Sequence, residues 1–141
     1  MGTTQDDLLA LVSVLEHDDW IYRTYWEFRK DDQGKIIAQV LKAVFFTSKE
    51  LIQLARRFCP DWMIQMDGTF NTNKLRMPLI DVLGVTNTEH SFLFAFCFVT
   101  SESAENWGFV LQCLEMTVFK GLPLPRVVIA DQGMGLRSVF H

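Results

Sequence analysis

The chain has 141 residues, 49% hydrophobic and 21% charged, with twelve Phe and four Trp. That is one domain's length, able to bury about two thirds of its unfolded surface and too apolar to stay disordered. Thirteen Lys and Arg against seventeen Asp and Glu leave a net charge of −4, which argues against a basic module gripping nucleic acid unaided.

Thr4-x-x-Asp7 has capping-box form, and Leu8, Leu11, Val12 and Leu15 follow at helical spacing, predicting a first helix over about Gln5 to Glu16. Trp20 to Phe28 alternates, with Trp20, Tyr22, Trp26 and Phe28 on one face. Asp31-Asp32-Gln33-Gly34 supplies a turn and Ile36 to Phe46 a returning strand, so a hairpin is expected. Thr47-Ser48-Lys49-Glu50 reads as a second capping box ahead of the stripe Leu51, Leu54, Ala55 and Phe58, and Pro60 ends that helix. From Trp62 the rhythm changes. Strands are predicted at Trp62 to Asp67, Leu75 to Thr86 and Phe92 to Thr100. The last carries Phe92, Phe94, Phe96 and Phe98 on one face, and being apolar on both faces it should be covered on both. Ser101 is expected to cap a helix with Glu102 and Glu105 in its first turn and Trp107, Val110, Leu111, Leu114 and Val118 as its buried stripe. Gly121 is its expected stop, Val127 to Ala130 a short strand ending at Asp131, and Gly133 to Gly135 the opening of a last helix.

The longest uncharged apolar run, Phe92 to Val99, is strand-length, so no membrane span is expected. Met1 to Asp7 lacks the positive region of a signal peptide, so an intracellular chain that is not secreted is expected. Cys59, Cys97 and Cys113 are widely spaced and odd in number. They suit free buried thiols and build no zinc site.

Strand, strand, strand, helix, strand from Trp62 onward implies an antiparallel meander followed by a crossover that returns the fourth strand parallel to the first. That order brings Asp67 beside Asp131. Two carboxylates at adjacent strand ends suit a hard divalent cation and phosphoryl transfer; a strand-ending turn for Asp67 and a helix cap for Asp131 are the structural alternatives. Asp81, mid-strand, either faces this site or sits at an exposed edge.

Asp67-Gly68-Thr69-Phe70-Asn71-Thr72-Asn73-Lys74-Leu75-Arg76-Met77-Pro78-Leu79 resembles the D-x-T-(Y/F)-x-T-N-(K/R)-x-x-M-P-L block of Mutator-like element (MULE) transposases. Gly84-Val85-Thr86, Ser101 to Trp107 and Val128-Ile129-Ala130-Asp131 resemble later blocks in the same order. The resemblance spans roughly Asp18 to Phe140. It implies an α/β (α+β) fold of RNase H-like type with a mixed sheet, truncated after the fourth strand, with a β-hairpin and helix at the N-terminus. Residues 1–60 would lead into the domain and 61–141 would form a partial catalytic domain.

The resemblance further implies DDE chemistry, in which Mg²⁺ or Mn²⁺ supports DNA cleavage and strand transfer. Asp67 matches the first acid and metal ligand, and Asp131 the second. The third acid, a Glu on a later helix, has no counterpart, since the sequence stops ten residues after Asp131. Glu102 and Glu105 are weighed as stand-ins against helix capping. Lys74 and Arg76 are the DNA-phosphate candidates, and Trp107 is expected as a core anchor rather than a base-stacking platform. DNA is the partner of the parent enzyme and weak or none for this piece. A homo-oligomer through the open sheet edge and a nuclear location are also expected. The alternative is a non-enzymatic, domesticated interaction or DNA-associated regulatory protein.

Overall fold

The computed structural model describes residues 4–69 and 77–130. Within them the order is α1 (Thr4–His17), β1 (Ile21–Lys30), β2 (Ile36–Thr47), α2 (Lys49–Phe58), β3 (Met63–Thr69), β4 (Leu79–Val85), β5 (Ser91–Val99), α3 (Ala104–Cys113), a π-helical turn (Leu114–Val118) and β6 (Val127–Ala130). The six strands form one mixed sheet in the order β1-β2-β5-β4-β3-β6. β3, β4 and β5 pair antiparallel as the expected meander, and β6 returns parallel to β3. This is an α/β (α+β) architecture, as expected. The hairpin is not a separate appendage: β2 pairs with β5 through Ala43↔Val99 to Phe46↔Phe96, so it extends the same sheet.

One face of the sheet is closed by α2, α3 and the π-helical turn. Ile64, Met66, Ile80, Val82, Phe94, Ala95, Cys97 and Trp107 are buried there. Among the described residues the other face is closed only in part. α1 lays Leu8 and Leu15 over Leu41, Val44 and Phe98, with Trp20, Tyr22 and Trp26 packed around them. Where β2 steps past Lys42 in a bulge, the Gln5 side chain takes both backbone groups of Leu41, donating to its O at 2.8 Å and accepting from its N at 2.8 Å. A side-chain amide thus replaces a missing strand neighbour.

Several expectations are corrected. The four phenylalanines of β5 do not share a face. Val82 pairs with Ala95 but Leu83 with Leu93, which leaves Phe94 as the extra residue of a bulge. The bulge reverses the alternation: Phe92 and Phe94 join the helix-covered core, whereas Phe96 and Phe98 stack on Phe46 on the opposite face. The cap of α2 is Ser48, whose hydroxyl accepts from Leu51 N; Thr47 stays in the strand and donates to Phe94 O at 2.5 Å. The cap of α3 is Ser103 rather than Ser101, so Glu102 precedes the helix. In α2, Leu54 is exposed and Ile52 packs in its place. β4 begins at Leu79, since Pro78 brings no N–H to the ladder. The last helix expected at Gly133 lies outside the described residues.

Candidate functional site

On β3, Ile64 and Met66 point into the core, so period-two alternation sends Gln65 and Asp67 to the opposite face. The same alternation on β4 buries Ile80 and Val82 and turns Asp81 outward. The register makes Asp67 and Asp81 direct cross-strand partners, and Phe96 flanks Asp81 on β5. Both acids are half-buried. Burial first, and then the neighbouring Asp67 carboxylate, hold the Asp81 carboxyl above the ordinary carboxylate range. Gln65 Nε2 donates to Asp67, 3.1 Å from Oδ2 and 3.3 Å from Oδ1.

The parallel pairing of β6 with β3 ends with Ala130 opposite Met66. Asp131 follows Ala130 directly in the chain and, with Lys74 and Arg76, lies outside the described residues. Among the described residues α1 packs chiefly on β1 and β2. Ile129 and Leu93, in the row of Gln65, remain 44% and 43% exposed, and Val127, one row further from Asp67, 49%.

Of the two weighed stand-ins, Glu105 is held elsewhere. Its carboxylate accepts from the Tyr25 hydroxyl on β1, whose ring stacks on Phe109 at 5.2 Å, on the helix-covered side of the sheet. Glu102 is exposed. Trp107 is completely buried, as a core anchor should be. All three cysteines are free and buried.

Sequence reasoning left Asp81 open and passed over Gln65. The signal for Gln65 was the alternation itself, since Gln65 is two residues from Asp67 on one strand. Asp81 needed the cross-strand register, which no local pattern carries. Paired carboxylates are hard oxygen donors of the kind that Mg²⁺ and Mn²⁺ prefer. Among the described residues no three acidic, His or Cys side chains gather into a cluster that could hold a metal ion, so Asp67 and Asp81 provide two donors. No helix among the described residues is long and apolar enough to cross a membrane.

Together these features define a mixed-sheet α+β domain in which adjacent strands β3 and β4 carry carboxylates on a face that the described helices cover only in part. Residues 63–141, just over half of the chain, match the family model of the MULE transposase domain, and the chain belongs to that family. Its function is therefore transposase-related. No curated protein and no solved structure gives a significant match.

Proposed function

We propose that the chain carries part of the catalytic centre of a DDE-type DNA transposase, with Asp67 and Asp131 as metal-binding acids. The observation that supports this most directly is the β3–β6 pairing. It sets Ala130 against Met66, one residue before each acid in its own strand order. The residues fit Mg²⁺ or Mn²⁺ by donor chemistry, and a bound ion supplies neutralisation of charge developing on phosphorus. The chain's own contribution is to hold the Asp67 carboxylate at a fixed place on a rigid strand, steadied by Gln65 and set beside the negative charge of Asp81. Lys74 and Arg76, on the segment between β3 and β4, are proposed to contact DNA phosphates. In this reading residues 1–60 lead into the domain, residues 61–141 carry its catalytic part, and the protein works in the nucleus.

These 141 residues alone are expected to give weak or no strand transfer, because two family acids make an incomplete metal cage and the net charge is −4. Two measurements test the reading. Mn²⁺ binding should fall at least tenfold in Asp67→Asn and in Asp131→Asn; affinities equal to wild type in both would refute it. Incubation of the purified chain with labelled DNA and Mg²⁺ or Mn²⁺ should yield little product, and robust Asp67-dependent cleavage would overturn the statement that the piece is inactive alone.

A second reading, a non-enzymatic interaction protein derived from such an element, is favoured by one observation. Among the described residues β6 is a terminal strand with exposed Val127 and Ile129 and no charge of its own, whereas the opposite terminal strand β1 carries Arg23, Glu27, Arg29 and Lys30. An uncharged apolar edge invites strand addition by a second copy or a partner. Sedimentation equilibrium decides: a concentration-dependent dimer that Ile129→Lys abolishes supports it, and a strict monomer removes it.

A further inference from the structure

We infer that Gln65 is a positioning residue for the Asp67 carboxylate and raises the affinity of the site for a divalent cation, an inference that rests on the metal reading of Asp67. Gln65 and Asp67 are two residues apart on the same face of β3. In its own row Gln65 is flanked by Leu83 on β4 and Ile129 on β6, both apolar. The Asp67 carboxylate in the next row is thus the polar group its amide meets. The side-chain nitrogen lies 3.1 Å and 3.3 Å from the two carboxylate oxygens, so one donor group spans both. Chemistry fixes which end of the amide faces Asp67: an ionised carboxylate only accepts, so the NH₂ and not the carbonyl must point to it.

Two consequences follow. Without this bond the Asp67 carboxyl rotates about its terminal torsion, a broad two-fold well, and a cation must freeze that rotation on binding. With it, the plane of the carboxylate is held from the N-terminal side of the strand and the remaining lone pairs stay available on the other. The donated hydrogens also place partial positive charge beside a carboxylate whose cross-strand neighbour is a second carboxylate, Asp81. Partners of this kind, one bond removed from the metal, are typically worth about 10- to 100-fold in metal affinity. The competing idea is that the amide occupies lone pairs the cation needs and must be displaced, in which case its removal strengthens binding. The two ideas differ in sign.

The test uses Mn²⁺ alone, with free ion followed by electron paramagnetic resonance, on wild type, Gln65→Met, Gln65→Leu, Asp67→Asn and the double variant Gln65→Met/Asp67→Asn. Met keeps the length of the side chain without a donor, Leu is a second apolar choice suited to a half-exposed strand position, and thermal unfolding of each variant monitors the fold. The expected result is a dissociation constant about tenfold weaker in Gln65→Met and Gln65→Leu, at a Tm within a few degrees of wild type. The Gln65 substitution should bring no further loss once Asp67 is Asn, since its effect passes through that carboxylate. Binding that Asp67→Asn weakens but Gln65→Met or Gln65→Leu leaves unchanged or tightens overturns the inference alone. Binding that is absent in wild type, or unaffected by Asp67→Asn, overturns the metal reading and this inference with it.

Discussion

Gly84→Ala places a single methyl where the fold has no room for it. Gly84 pairs with Phe92 across β4 and β5 and faces the helix-covered core. A Cβ built there would lie 2.4 Å from Phe92 Cζ, 2.7 Å from Cys59 Sγ and 2.8 Å from Phe92 Cε1. Neither neighbour is a loose end. The Phe92 ring is held edge-on by Phe58 at 5.8 Å and tilted against Phe94 at 6.1 Å, and Cys59 is fully buried as the C-cap of α2. Overpacking of this kind costs about 1–3 kcal/mol. Ala also restricts the unfolded chain, which returns about 0.4–1 kcal/mol, so a net loss of about 1.5 kcal/mol is expected. With an unfolding entropy of about 2.1 cal/mol/K per residue, a chain of 141 residues should lose about 5 °C in Tm. Urea denaturation at matched m-values provides the free energy. Phe92→Leu, which deletes the two clashing ring atoms, should cost less in the Gly84→Ala background than in wild type, by about 1 kcal/mol of coupling. Gly108→Ala is the internal control: this glycine lies inside α3 with nothing within 4 Å of its added methyl, so helix propensity should make it stabilising by up to about 1 kcal/mol. A Gly84→Ala protein as stable as wild type, or additivity of Gly84→Ala with Phe92→Leu, would refute the packing argument.

Asp81→Asn should raise Tm at pH 7, since it removes a carboxylate set directly opposite Asp67; like charges so placed cost roughly 0.2–1 kcal/mol. The Asp81 carboxyl is held above its ordinary range in the folded protein, so its destabilising contribution is complete above that raised value. It disappears as pH falls below the unfolded-chain range of about 3.9. The Tm advantage of Asp81→Asn should therefore shrink from pH 7 to pH 3.5, and an advantage that grows on acidification would contradict it. The thiols supply another expectation. Burial pushes Cys59 and Cys113 up to about 12 and Cys97 well above the usual thiol range, so all three should resist an aromatic disulfide reagent at pH 8 and react together once urea unfolds the chain. Rapid reaction of even one thiol in the native protein would show that the core opens there.

The kinds and order of elements were legible in the chain because they depend on short-range periodicity. Capping hydroxyls, turn residues and apolar spacing located three helices and six strands, and the block from Asp67 to Leu79 pointed to a transposase site. The failures share one cause. Whether Phe92 and Phe96 lie on the same face depends on a bulge at Phe94, and the bulge exists only in the pairing of β5 with β4. Which hydroxyl caps a helix depends on where the preceding strand ends: Thr47 is kept in β2 by its bond to Phe94, and Ser48 caps α2. The same applies at the site. Asp67 could be singled out from its neighbours in sequence, but Asp81 becomes its partner, and the hairpin becomes part of its sheet, only through cross-strand register. Local sequence determines what each segment is; register joins residues far apart in the chain, so only the folded sheet decided which acids share a face.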